Sequence, residues 1–147
     1  MAIPEAIQGK VVSVVDGNTI EFQTTDNETF KVVLSGIDAP ELNQDFGLEA
    51  KSLLEKILLH EAVSLVIEGK DRLGNRVGLL TYKKNKDPRL ELLEKGYAWT
   101  TEKNPNPEFE AIREVAKSKA KGLWKAENPT PPWLFRRQQT MLMAKSS

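Results

Sequence analysis

The chain has 147 residues, with 21 Lys+Arg, 21 Asp+Glu, one His and no Cys. That length specifies one domain with room for a real core, and 39% hydrophobic with 29% charged residues excludes a disordered or fibrous chain. The missing Cys removes disulfides, thiolate catalysis and Cys-based zinc, and a lone His60 removes any two-His metal site, so chemistry here falls to carboxylates, Arg/Lys, hydroxyls or backbone groups.

In chain order, Met1–Gln8 lacks the charged and apolar regions of a signal peptide. The compartment stays open, a secreted or periplasmic location included if a signal has been removed. The β-branched run Val11–Val15 predicts a strand, and Asp16-Gly17 a turn. Thr19–Thr24 alternates as a second strand. Asp26-Asn27 turns the chain into a third strand, Phe30–Leu34. Pro40 then disfavours helix at Ala39, which makes Gly36–Glu41 a loop leaving the sheet. From Gly47 to His60 the apolar spacing becomes helical, at Ala50, Leu53, Leu54, Ile57 and Leu58. Ala62–Ile67 and Val77–Tyr82 are the fourth and fifth strands, separated by a turn at Asp71–Asn75. A short helix fits Arg89–Lys95, with Gly96 at a left-handed cap. Another fits Glu108–Lys121, followed by Gly122. A Pro-rich stretch, Asn128–Pro132, precedes a final helical segment, Trp133–Met143. Five short strands with interspersed helices predict an α+β protein: a five-stranded Greek-key barrel of the OB type with about three helices. The expected organisation is an extension at 1–8, the barrel domain at 9–125 and a tail at 126–147 packed on that domain. No run approaches the ~18 apolar residues of a membrane span, and a monomer is expected.

The zero net charge argues against a strongly basic nucleic-acid binder, yet it hides a split. Residues 1–49 carry two basic and nine acidic residues, and residues 50–147 carry 19 basic and 12 acidic. Asp16, Asp38, Glu41 and Asp45 gather near turns, as an acidic site facing a basic surface would require.

Several blocks fall in one order: Val14-Val15-Asp16-Gly17-Asn18-Thr19-Ile20, Gly36-Ile37-Asp38-Ala39-Pro40-Glu41, Phe46-Gly47-Leu48-Glu49-Ala50, Asp71-Arg72-Leu73-Gly74-Asn75, Leu93-Glu94-Lys95-Gly96-Tyr97-Ala98 and Gly122-Leu123-Trp124. Together they resemble the staphylococcal nuclease (thermonuclease) family over roughly residues 9–137. Pro131-Pro132-Trp133-Leu134-Phe135-Arg136-Arg137 resembles a tail found on many bacterial members. The resemblance implies the barrel fold and calcium-dependent hydrolysis of phosphodiester bonds in DNA and RNA. Calcium takes about 6–8 oxygen ligands and neutralises the scissile phosphate. A carboxylate orients or deprotonates the attacking water, and arginines stabilise charge on the phosphate oxygens.

Matched residue by residue, Asp38 falls on a calcium-ligand aspartate and Glu41 on the candidate general base. Three positions depart from the pattern. Asn18 stands where the first calcium-ligand aspartate of V-V-D-G-D-T is expected, and offers only a neutral amide oxygen to a weak site. Val33 stands where the strand arginine is expected, and Asn75 where the arginine of the D-R-Y-G-R turn is expected. Losing one transition-state donor costs about 10²–10³ in rate, so the resemblance implies a catalytically impaired homologue that keeps a role in binding nucleic acid or a protein partner. The alternative is a working calcium-dependent nuclease in which Arg76, shifted by one residue in its turn, or Lys31, two residues from Val33 and displaced by about 6–7 Å, supplies the missing charge. Lys31, Arg76, Lys83 and Lys84 are the candidate contacts to a single-stranded DNA or RNA backbone. Simpler roles compete at each place: Asp38 and Glu41 as loop caps, the lysine clusters as solvated faces, and Trp99, Trp124 and Trp133 as core or tail anchors.

Overall fold

The computed structural model describes residues 5–146. Five strands close into a barrel in the order β1 (Ile7–Val14), β2 (Thr19–Thr24), β3 (Thr29–Leu34), β6 (Arg76–Tyr82) and β5 (Ala62–Lys70). The first three form an antiparallel meander, β6 runs parallel to β3, and β5 closes the barrel antiparallel to both β6 and β1. Alternation along each strand fixes the inside: Ile20, Phe22, Val32, Leu34 and Leu80 are all buried within the barrel. Their neighbours, Thr19, Lys31 and Val33 among them, consequently point outward. A register shift between Val11 and Ser13 breaks the alternation in β1, so that both Val11 and Val14 are buried.

Four α-helices accompany the barrel, α1 (Gly47–Leu58), α2 (Pro88–Lys95), α3 (Pro107–Ser118) and α4 (Pro132–Ser146), of which α1 packs on β1, α2 on β6 and α3 on α2. The fold is the expected α+β barrel, with the last helical segment a full helix of 15 residues. Ala50, Leu54 and Leu58 form the buried stripe of α1, as the sequence spacing predicts. Asp87 caps α2 through its side chain, and Gly96 ends that helix at φ 76° in the left-handed region. No helix among the described residues is long and apolar enough to cross a membrane.

Several boundaries differ from the sequence reading, the following two among them. β1 begins at Ile7, inside the stretch expected as an extension, because Ile7 and Gln8 pair with Leu65 and Ser64 of β5; residues 1–4 lie outside the described residues. The stretch expected as a plain loop contains a two-residue strand, β4 (Ile37–Asp38), paired with β7 (Trp99–Thr100). A ladder this short has no readable period, and its partner lies some sixty residues away in sequence.

The side chains around β7 form a second small core. Ala116, Leu123 and Trp124 are buried there, with Phe46 and Trp99 packed against them. Trp99 stands edge-on to Trp124 at 4.7 Å and to Trp133 of α4 at 5.5 Å between ring centroids. The three indoles thus tie the tail helix to the body beside β4.

Candidate active site and its tail arginine

The Asp16–Asn18 turn sits at the β1–β2 corner. The backbone N–H of Asn18 donates to the Asp16 carboxylate at 2.7 Å, which fixes the turn locally. The Asn18 amide reaches across to the loop after β4. Its Oδ1 accepts from the Ala39 N–H at 2.6 Å, and its Nδ2 donates to the Ala39 carbonyl at 3.1 Å. Both ends of the amide therefore clamp one backbone unit. An aspartate here could accept from Ala39 N–H but could not donate to its carbonyl.

Asp38 is held by the β4–β7 ladder opposite Trp99. Three residues on, the Glu41 N–H donates to Gln44 Oε1 at 2.9 Å, and the Gln44 side chain also donates to the Thr130 carbonyl of the tail at 3.1 Å. Gly47 at the start of α1 lies so close that a Cβ there would sit 2.0 Å from the Glu41 carbonyl oxygen. The glycine thus lets α1 and the Glu41 loop meet. Burial pushes the Glu41 carboxyl above its ordinary pKa; the Arg136 charge pulls it down, but Asp16 and Asp38 add to the rise and the net direction is upward.

The guanidinium at this acidic pair comes from the tail. Arg136 of α4 donates from Nη1 to Asp38 Oδ1 at 3.1 Å and from Nη2 to Asp38 Oδ2 at 2.7 Å, a two-point fork, and its Nη1 lies 3.8 Å from Glu41 Oε2. The bonds to Asp38 hold the Arg136 pKa above its ordinary value, with the charges of Asp38, Glu41 and Asp16 outweighing the opposing desolvation. The helix places Trp133 and Arg136 one turn apart on one face. The next residue, Arg137, makes a second two-point pair with Glu102 at 3.0 and 2.7 Å. Sequence reasoning missed Arg136. Its available signal was the Trp133–Arg136 helical spacing within the tail block, but no sequence feature links a residue to Asp38 across 98 positions.

The positions expected to carry arginine do not carry a guanidinium to the pocket. Val33 lies on the outward face of β3 between Thr19 and Val77. Asn75 closes its own turn instead: its N–H and Nδ2 both donate to Asp71, at 2.9 and 3.2 Å. Desolvation would raise the Asp71 pKa, but the bonds from Asn75, Leu73 and Gly74 outweigh it and hold the carboxyl below its ordinary value. Arg76 does not slip toward Asp38. It is the first residue of β6, stacks over the Phe30 ring at 3.9 Å and lies 3.9 Å from Glu28. Lys31 is exposed on β3 opposite Glu21. Lys83 and Lys84 occupy a left-handed turn after β6 beside Gln8 and Ser64. Since Gln8 begins β1 and Asp16 follows its end, these two lysines lie at the opposite end of that strand from the acidic pair.

A calcium ion needs about 6–8 oxygens. In this pocket the Asn18 oxygen accepts from Ala39 N–H, and both Asp38 oxygens accept from the Arg136 guanidinium, which places a positive charge where the ion would sit. No group of three or more His, Cys, Asp or Glu side chains able to hold a metal occurs among the described residues. The donor set as arranged does not fit the ion.

A closed five-stranded barrel with an acidic loop beside the β1–β2 corner defines the class of small OB-type domains. A family model described as "Staphylococcal nuclease homologue" matches residues 31–126, more than half of the chain. An "Uncharacterized endonuclease" of Haemophilus influenzae is 35% identical over 136 residues, covering 92% of this chain and 76% of its own length. A protein of the same description from Escherichia coli O157:H7 is 29% identical over 134 residues, covering 90% of this chain and 87% of its own length. The "Probable staphylococcal-like nuclease CAN3" of Oryza sativa subsp. japonica is 33% identical over 111 residues, 75% of this chain but 29% of its own length. The chain belongs to the staphylococcal nuclease homologue family.

Proposed function

We propose that this chain is a nuclease-family domain that binds single-stranded DNA or RNA and is impaired in phosphodiester hydrolysis. The observation that carries this reading is the chemistry at positions 33 and 75. A valine and a turn-closing asparagine stand there, and neither can fork onto a phosphate. Two missing donors lower the rate by about 10⁴ or more, with the usual departure from additivity. Asn18 removes one further negative charge from the acidic loop. Binding would rest on backbone electrostatics, with Lys31 and Arg76 on the barrel and Lys83 and Lys84 as more distant contacts.

A second reading, a working calcium-dependent nuclease, draws support from Glu41, a carboxylate in the acidic loop whose burial raises it above its ordinary pKa. It then needs a cationic side chain, a repositioned Arg76 or Lys31, to stand in for the arginines that Val33 and Asn75 do not supply. The test is incubation of single-stranded DNA with the purified chain, with and without millimolar calcium. Salt-dependent oligonucleotide binding with negligible cleavage is expected. Robust calcium-dependent cleavage that Glu41→Gln abolishes would favour the second reading. Absence of oligonucleotide binding would leave a protein-interaction role.

A further inference from the structure

We infer that Arg136 is the resident cation of this pocket: its guanidinium sits on Asp38 and Glu41 in place of a divalent ion and presents its outer N–H groups to a phosphodiester without metal. The inference rests on the reading of the pocket as a nucleic-acid site and concerns how that site obtains its positive charge.

Four observations carry it. Both Asp38 oxygens are engaged by Arg136 in a two-point fork, so a divalent metal reaching Asp38 meets a resident positive charge that repels it. The side chain of Asp38 is 15% exposed and that of Arg136 is 43% exposed. The acid is thus shielded while the cation faces solvent. A guanidinium carries five N–H groups, of which Asp38 takes two, leaving the rest of the fork to accept an anion. The Asn18 amide is committed at both ends to Ala39, so the residue that replaces an expected ligand builds the loop instead of coordinating.

The placement is also constructed rather than accidental. Trp133 packs on Trp99, the residue paired with Asp38 across the β4–β7 ladder. Gln44 bonds both the Glu41 N–H and the Thr130 carbonyl. Arg137 binds Glu102 one residue further along the helix. The contacts that hold the acidic loop are therefore the same ones that hold the tail. Charge arithmetic agrees in direction. Asp16, Asp38 and Glu41 gather negative charge, and a single guanidinium compensates less of it than a divalent ion would, which suits a site that has exchanged one aspartate for Asn18.

Calcium titration of the whole chain, read by melting temperature and by calorimetric heat, compares the wild type with Arg136→Gln and Arg137→Gln. The wild type and Arg137→Gln are expected to give no response at millimolar calcium, and Arg136→Gln to acquire one. Equal behaviour of wild type and Arg136→Gln, whether both respond or neither does, overturns the inference. So does a response of Arg137→Gln equal to that of Arg136→Gln, because covering by the tail would then be the cause. This arm involves no nucleic acid, so its failure is separate from failure of the proposed function. In a second arm, labelled single-stranded DNA is titrated in EDTA. Arg136→Gln is expected to weaken binding about tenfold, the loss of one charged hydrogen-bonding group, and Arg137→Gln to leave it near wild type. Binding that needs calcium, or that Arg136→Gln leaves unchanged, overturns it.

Discussion

Glu41 is a residue whose placement works against stability. Its carboxyl is pushed above the ordinary 4.5 by burial, with Asp16 and Asp38 adding to the rise. A raised carboxylate pKa means that the folded state prefers the neutral acid. The contribution is fully present below pH 4.5 and is lost as pH rises through the elevated value. Glu41→Gln, which cannot ionise, is therefore expected to melt above the wild type at pH 7. That gap should close as pH falls below the unfolded value. Thermal melts of both proteins between pH 3 and 8 check this, and a lower melting temperature for the variant at pH 7 would contradict the direction. Asn18 behaves in the opposite way, since its clamp on Ala39 supports the loop.

Among the elements, the α2 cap illustrates how a local signal acquires a tertiary role. Gly96 adopts φ 76° to end α2, and its carbonyl accepts from the Leu123 N–H at 2.9 Å. A Cβ at Gly96 would lie 2.2 Å from the Lys121 carbonyl oxygen. Gly96→Ala thus meets both left-handed strain and a backbone clash, and should cost at least about 2 kcal/mol. For a chain of this size that is a fall in melting temperature of about 4–8 °C. Urea unfolding and thermal melts measure it. The cap itself is legible in the sequence. The clash is not, because it arises where the turn after α3 returns to α2.

Across the whole molecule, the contacts that fasten the tail helix to the body include the Trp133–Trp99 ring pair and the ion pairs of Arg136 and Arg137. The Arg137–Glu102 pair is largely exposed, and such pairs contribute ~0–1 kcal/mol. Trp133 on Trp99 is the larger anchor, since aromatic pairs add about 0.5–1.5 kcal/mol beyond the area they bury. Trp133→Ala should therefore raise the population with the tail released by about tenfold, the factor for ~1.4 kcal/mol. Trypsin cleavage after Arg136 or Arg137 would accelerate accordingly while the barrel remains intact. An unchanged cleavage rate would assign the anchoring elsewhere.

Alternation, turn residues and helical spacing act over a few residues, and for that reason the five barrel strands, the stripe of α1 and the Gly96 cap were readable from the sequence alone. The family resemblance, carried by short sequence blocks, singled out Asp38 and Glu41 as candidates and Asn18, Val33 and Asn75 as departures. The tertiary structure decided what those residues touch. The pairing of Asp38 with Trp99, the closure of the Asn18 amide on Ala39 and the commitment of Arg76 to Phe30 each depend on strand register. The arrival of Arg136 at Asp38 depends on how the tail packs over a distance of 98 residues. Charge neutralisation in this pocket is a contact between segments remote in sequence, and only the packed chain brings them together.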